Sequence, residues 1–395
     1  MLLKVIPFLL CFFSISLCSA QIITLDAVLL DEEGVAVQFA TVHNESAKVG
    51  VVANIEGRFV LSCMPDDLIV IRSLGYSELR RVASDLQSDG IIVLRKTTYD
   101  LGDIIVTPNS VNANAIVRKF SSRIGRNYPS RPIIISGVYK EHSSNESEYY
   151  AYIQCDVDVF FNSMTSFFAP TIKTRVWDYR LFRHSNRKGV SGFVCHMHRL
   201  HKFWIAGHYF LSFRNPGKYS YTFAGHTAHN DSKLAIIKFY PKQIDRYVQQ
   251  YEGVMYIDIE TFGLIFFHSV MLPNEIDFSL NDVGLLERIT DEETKIYFAP
   301  KDGIYYPSFT ISKYSASVKR NDEEIINLDI VFNFFTKKVE ATSRRGFDAG
   351  NLSLADLFAR GERNIPIIDQ SEDFRSDFVI ETEEERLFFN YNMMK

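Results

Sequence analysis

Apolar and polar residues alternate in steps of two along most of this chain, which predicts strands with one buried face. Ile23, Leu25, Ala27 and Leu29 alternate with Thr24, Asp26 and Val28. Asp31-Glu32-Glu33-Gly34 reads as a polar turn, and Val37 to Val42 as the next strand. Val49 to Ala53 runs into Asn54-Ile55-Glu56-Gly57, a hairpin signal whose glycine is free to take a positive φ. Phe59, Leu61 and Cys63 then point one way, and Arg58, Val60 and Ser62 the other. Asp67 to Ile71 is nearly continuous in apolar residues, as a sandwich interior requires, and Ile91 to Leu94 closes the series. About seven short strands in roughly 85 residues predict a seven-stranded Greek-key sandwich over 21–107.

A different period follows. Ile116, Val117, Phe120 and Ile124 recur at helical spacing with Arg118, Lys119 and Arg123 on the other side. Asn112 is a helix cap, and Asn127-Tyr128-Pro129 ends the element, because proline disfavours helix in the residue before it. This predicts one amphipathic helix over 113–126, within a linker of 108–132, whose apolar stripe covers a sheet. Period two then returns from Ile133 to about Val339. Ile133, Ile135, Gly137 and Tyr139 alternate with Ile134, Ser136, Val138 and Lys140. The runs 254–259 and 264–270 flank Glu260-Thr261-Phe262-Gly263 as a hairpin. The fold class expected is mainly β: the sandwich, then a large curved antiparallel sheet over 133–346 packed on the helix, then an acidic, partly helical tail over 347–395. A membrane barrel made from 133–346 is the rival, opposed by charges on both strand faces.

The order of residues in the first segment resembles the carboxypeptidase regulatory-like domain, a transthyretin-like, Ig-type sandwich. The matching features are Asp31-Glu32-Glu33-Gly34, Phe39-Ala40-Thr41-Val42, Asn54-Ile55-Glu56-Gly57-Arg58-Phe59, Ser73-Leu74-Gly75-Tyr76 and Leu101-Gly102-Asp103-Ile104-Ile105-Val106-Thr107. The resemblance implies an accessory sandwich of the Gram-negative envelope that carries no catalytic residues, despite its name. The second half resembles the sheet domains that follow such sandwiches. Gly253-Val254-Met255-Tyr256-Ile257-Asp258-Ile259-Glu260-Thr261 and Asp302-Gly303-Ile304-Tyr305-Tyr306-Pro307-Ser308 look like lipoprotein-carrier-like half-barrels. That likeness implies a concave face that holds lipid.

The chain opens MLLKVIPFLLCFFSISLCSAQ, with one early charge, an apolar run and small residues before Gln21. It reads as an export signal over 1–20, cleaved after Ala20. Acylation of Cys18 is the less favoured alternative, because Leu17 is bulky where lipoprotein signals carry a small residue. Export places the protein in the periplasm or at the outer membrane. Cys63, Cys155 and Cys195 remain, too few for a disulfide framework, and are expected to be buried and apolar in role. The formal net charge is −5.

Three constellations carry chemistry. Cys195-His196-Met197-His198-Arg199-Leu200-His201 holds soft and borderline metal ligands, with His196, His198 and His201 the candidates. On a strand His201 would face away from the other two, so a loop or a distant ligand is needed, and an incidental role is the favoured reading. Between Ile172 and Lys218 there are ten Lys or Arg residues and one acid, interleaved with aromatics. Arg175, Arg180, Arg183, Arg187, Lys188, Arg199 and Lys202 form a candidate patch for anionic lipid, glycan or an acidic envelope protein. Behind an export signal nucleic acid is excluded, and the plain alternative is a solvated outer face. The acids of 369–386 offer the basic stretch an internal partner. Peptidase and hydrolase signatures are missing, and Asp258 with Glu260 reads as a pair of solvated acids beside a turn. No catalytic residue and no cofactor is assigned. The reading is a non-enzymatic exported binding or scaffolding protein. The alternatives are a lipid or lipoprotein carrier using the concave sheet, and a metal-binding protein using the histidine cluster.

Overall fold

The structure is a computed structural model. It describes residues 22–347, apart from 38–39, 48, 54–55, 74–75, 87–89, 97–111, 145–148, 166–171, 184–217, 230–231, 281–285 and 320–324. The signal segment, the histidine cluster and the acidic tail lie outside the described residues. So do Cys18, Cys195, Arg187, Lys188, Arg199 and Lys202. The described residues fall into two compact units, one of 22–96 with 228–229 and the other of 112–227 with 232–347.

The first unit has seven strands in two sheets: β1 (Ile23–Asp31), β2 (Thr41–Asn44), β3 (Val49–Val52), β4 (Arg58–Cys63), β5 (Leu68–Arg72), β6 (Leu79–Val82) and β7 (Ile91–Leu94). One sheet has the order β4-β1-β7 and the other β3-β2-β5-β6. β1 pairs antiparallel with β4 and parallel with β7. The expected alternation is realised: Ile23, Leu25, Ala27 and Leu29 are buried, and they share one core with Phe59, Leu61, Ile69, Ile71, Ile92 and Leu94. Three elements differ from expectation. The strand read at 37–42 begins only at Thr41, with Val37 and Ala40 filling the core from extended backbone. β6 and the short helix α1 (Ala83–Leu86) were not legible, because Leu79-Arg80-Arg81-Val82 is an edge strand with two exposed arginines and no clean apolar face. Gly57 takes φ +77°, and a Cβ there would meet Leu29 O at 2.4 Å, so both turn geometry and close approach call for glycine.

The second unit begins with α2 (Ala113–Asn127), capped by Asn112, whose side chain accepts the Ala115 amide at 3.0 Å. Its strands are β8 (Ile133–Ser144), β9 (Tyr149–Phe161), β10 (Ile172–Arg183), β11 (Tyr219–His229), β12 (Ser232–Pro241), β13 (Tyr251–Asp258), β14 (Leu264–Met271), β15 (Ser279–Leu280), β16 (Leu286–Lys301), β17 (Ile304–Lys319) and β18 (Ile326–Ala341). They form one sheet of 11 strands, in the order β10-β9-β8-β18-β17-β16-β14-β13-β12-β11, with β15 attached to β16. Among the described residues the path does not close, so the mainly β reading stands with an open antiparallel sheet. The pairing of β18 with β8 runs from Asp329↔Ser144 to Ala341↔Ile133 and joins strands far apart in sequence. Buried runs such as Leu264–Phe267 and Ile330–Phe334 show that the middle of the sheet is covered on both faces. No helix among the described residues is long and apolar enough to cross a membrane.

Candidate functional site

α2 marks one face of the large sheet. Its buried Phe120 meets Tyr128 edge-on at 6.4 Å, and Tyr128 in turn contacts Phe298 at 6.0 Å and Tyr305 at 5.9 Å. The Tyr128 hydroxyl accepts the Leu264 amide at 2.8 Å, and complete burial drives its acidity far down. The C-terminal half of the helix is fastened to the β13–β14 turn. Arg123 donates to the carbonyls of Glu260 and Thr261 at 2.8 and 3.1 Å, and Asn127 donates to Thr261 O at 2.9 Å. Lys119 and Arg123 lie over the ring of Phe262, which sits at φ 57°. Asp258 is buried and accepts the amides of Glu260 and Thr261 at 2.8 and 2.9 Å. This corrects the reading of a solvated acid pair: β13 ends at Asp258, whose carboxylate builds the turn, and Glu260 alone is exposed.

From Phe298 the helix-bearing face can be followed strand by strand, because paired residues share a face and alternate residues repeat it. Phe298, Ile296, Thr294 and Glu292 lie on it from β16. Pairing then brings in Phe267 and Ser269 of β14, Met255 and Gly253 of β13, and Ile237 and Phe239 of β12. On the other side come Thr310, Ser312 and Tyr314 of β17, Phe334, Phe332 and Ile330 of β18, and Tyr139, Glu141 and Ser143 of β8. The row nearest the helix is largely apolar: Phe334, Ile296, Phe267, Met255 and Ile237. The next row is not. Glu141, Ser312, Thr294 and Ser269 run across it, broken only by Phe332, with Ser143 and Glu292 one step further from the helix.

All six of these polar residues are buried. Thr294 and Ser312 hydrogen-bond each other at 2.7 Å, Glu292 accepts the Tyr251 hydroxyl at 2.7 Å, and Glu141 accepts the Tyr139 hydroxyl. No cation stands against Glu292 among the described residues. The hydroxyls of Ser143 and Ser269 have no hydrogen-bond partner among the described residues. A buried hydroxyl left unsatisfied costs about 1–3 kcal/mol. Apolar packing continues on either side of the band. Tyr139 stacks on Phe332 at 6.2 Å, and Phe239 stacks on Phe267 at 5.8 Å across Gly253, where a Cβ would meet His268 O at 1.9 Å and the Phe239 ring at 2.9 Å. Such a face can hold an apolar chain along its aromatic rows and satisfy a donor-bearing polar group at its acceptors. Sequence reading missed the band, although Glu292, Thr294 and Ile296 alternate in one strand and Ser312 and Tyr314 in the next.

The expected basic patch is described only in part. Arg180 and Arg183 lie on β10 as backbone positions. Arg175 is engaged: its guanidinium bonds Asp158 Oδ2 at 2.6 and 3.2 Å and lies between the rings of Trp177 and Phe347 at 4.1 and 4.7 Å. Burial pushes the Asp158 pKa up, but hydrogen bonds from Ser136, Arg175 and Trp177 outweigh it and hold the carboxyl below its usual range. His268 and Lys295 share Glu293 at 2.8 and 3.0 Å on the opposite face, and these bonds lower Glu293 to about 2. Cys63 and Cys155 are buried, and burial raises Cys63 to about 11, which suits an apolar role. The described residues contain no group of three or more His, Cys, Asp or Glu able to hold a metal. His196, His198 and His201 are not among those residues.

No family model matches the chain, and no curated protein matches it. Three solved structures overlap with the chain at low similarity. One is a DUF1329 family protein from Desulfovibrio piger, at 10% identity and TM-score 0.26, covering 59% of this chain and 95% of that one. The second, from Vibrio parahaemolyticus, is a domain assigned provisionally to outer membrane lipoprotein sorting, at 11% identity and TM-score 0.27, covering 59% and 94%. The third is a LolA superfamily protein from Nitrosomonas europaea, at 11% identity and TM-score 0.22, covering 60% and 96%. Superpositions this loose assign neither a fold family nor a ligand to this chain.

Proposed function

We propose that this protein is an exported, non-enzymatic carrier that seats an amphiphile against the helix-bearing face of its large sheet. The observation that carries the reading is the buried polar band, with the unpartnered hydroxyls of Ser143 and Ser269 set between aromatic and aliphatic rows. A core selected for stability alone replaces such hydroxyls with alanine or valine, because the isosteric apolar group avoids the desolvation cost. The acceptors Glu141 and Glu292 favour a guest whose head group carries hydroxyl, amide or ammonium donors, with its acyl chain along Phe267, Phe334 and Ile296. The face is shut to water, so loading requires its cover to lift, and α2 is fastened at its C-terminal half.

Three acids of the large sheet have structural tasks, which supports a non-enzymatic role: Asp258 builds a turn, Asp158 holds Arg175, and Glu293 holds His268 and Lys295. The export signal and the regulatory-like sandwich support a place in the Gram-negative envelope, periplasmic or at the outer membrane, with the sandwich as an accessory module. The test is native mass spectrometry of the full chain for co-purifying lipid, together with uptake of a fluorescent phosphatidylethanolamine. Uptake is expected at near-unit stoichiometry and is expected to be lost in Ser269→Phe, which fills the band. Absence of both bound lipid and uptake overturns the carrier reading.

A further inference from the structure

The connection between β12 and β13 leaves the sheet at the end opposite α2, because the β13–β14 turn that holds the helix lies at the other end of β13. Its large apolar residues face water: Ile244 is 56% exposed, Tyr247 73%, Val248 52%, and Tyr240 at its base 41%. Exposed apolar loops are commonly loose, but this one is built. Asp245 donates its amide to Gln250 Oε1 at 2.7 Å, and Gln250 donates to the Gln243 carbonyl at 2.9 Å. The Asp245 carboxylate accepts the Tyr247 amide at 3.0 Å, and the Asp245 carbonyl accepts Val248 N–H at 3.2 Å. The neighbouring strand connection is tied on by Glu275 N–H to Arg246 O at 2.6 Å and by the Arg246–Glu275 ion pair at 3.0 Å. The apolar side chains are therefore held outward by a hydrogen-bonded frame.

Charge around the tip is mixed: four basic residues, Arg246 among them, stand beside four acids. Lys218, Lys238 and Lys242 are exposed and have no ion-pair partner among the described residues; Lys242 N–H bonds Lys218 O at 2.8 Å, which brings those two together. The nearby acids are mostly occupied. Asp245 and Asp277 accept backbone amides, Glu275 holds Arg246, and half-buried Glu252 lies at the base. Four side chains fall short of the roughly 800 Å² per partner of a standard protein interface. Tyrosine and lysine beside aliphatic residues are instead what a lipid–water boundary takes, the ring and the long amine each keeping a polar end in water.

We infer that residues 240–248 are a membrane-docking tip, which seats Ile244, Tyr247 and Val248 in the interface of an anionic bilayer while Lys218, Lys238 and Lys242 meet the head groups. This inference concerns a surface separate from the helix-bearing face and does not depend on the cargo. The full chain is tested by co-sedimentation with phosphatidylglycerol/phosphatidylcholine vesicles and with pure phosphatidylcholine vesicles. Binding is expected to the anionic vesicles and to weaken with added salt. Ile244→Asp with Tyr247→Asp is expected to reduce partitioning at least tenfold. Lys218→Gln with Lys242→Gln is expected to reduce it by roughly fivefold per residue and to flatten the salt dependence. Ile91→Asp, an exposed apolar site in the first unit, is expected to bind as the parent does. Circular dichroism checks that each variant is folded. The inference is overturned if neither vesicle is bound, which would leave the tip to a protein partner, if the folded tip variants bind like the parent, or if Ile91→Asp weakens binding equally. Failure of phosphatidylethanolamine uptake in the parent protein would leave the vesicle result unaffected.

Discussion

The two units bury polar groups in opposite ways. In the sandwich the core is apolar throughout, and its two buried polar residues sit at strand ends with full sets of partners. Asp31 accepts the Glu33 and Val35 amides at 3.0 and 2.7 Å and pairs with Lys96 at 2.9 Å; Asn44 donates to Asp67 at 2.6 Å and accepts the Ala47 amide at 2.9 Å. In the large sheet, buried polar residues such as Thr294, Ser312 and Asn333 lie within strands. The unpartnered atoms Ser143 Oγ, Ser269 Oγ, Arg288 Nε and Asn333 Oδ1 all belong to it. The sandwich is organised as a stability core. The sheet retains groups that lower its own stability, and retention of that kind marks a face suited to something other than its own packing.

That contrast can be broken experimentally. The largest effect is expected in the sandwich, where Phe59 is 1% exposed at the centre of an apolar cluster. Phe59→Ala should lose about 3–5 kcal/mol in urea denaturation, and a loss under 1 kcal/mol would contradict a close-packed core. Next comes Gly263, where a Cβ would meet the Tyr305 ring at 2.1 Å. Gly263→Ala must displace Tyr305 from Thr261 and Tyr128, so a loss of about 1–3 kcal/mol is expected, and protease sensitivity of α2 should rise.

The sharpest comparison is one of sign. Ser269→Ala removes an unpartnered hydroxyl and should stabilise the protein by about 1 kcal/mol. Thr294→Ala removes the bond to Ser312 and should destabilise it by about the same amount. Equal signs in thermal denaturation would refute the distinction between the two positions. The smallest effect is in pH. Glu293 is held at about 2, below its ordinary 4.5, chiefly by the His268 hydrogen bond. A depressed carboxylate contributes stability fully above pH 4.5 and loses it as pH falls from there towards 2. The site is about one-third exposed, so solvent screening keeps the contribution small. Denaturation midpoints at pH 5 and pH 3 should differ less in Glu293→Gln than in the parent.

Much of the fold was legible before any coordinates, and the reason is local. A strand's faces are dictated by its own alternation, so Ile23 to Leu29 declared which residues turn inward. α2 was legible because its cap, its 3.6-residue stripe and the proline after Tyr128 lie within about one helix length. The β13–β14 hairpin followed from four turn residues. β6 was missed because Leu79-Arg80-Arg81-Val82 has no alternating face to read, and the early start assigned to β2 arose because Val37 and Ala40 are buried although they lie outside the strand.

What tertiary structure alone decided is which rows form across strands. Glu141 and Ser269 stand in one band only because β8 pairs with β18 and the register then runs through β17 and β16 to β14, and no local pattern specifies a pairing between strands so distant in the chain. Burial of Asp258 depended likewise on where the turn falls. The outward setting of Ile244 and Tyr247 depended on hydrogen bonds from Gln250 and Glu275. Alternation along a strand is a property of the backbone and travels with the sequence. Register between strands is settled by the packing of whole faces, so the chemistry of this protein's interior exists only once the sheet has formed.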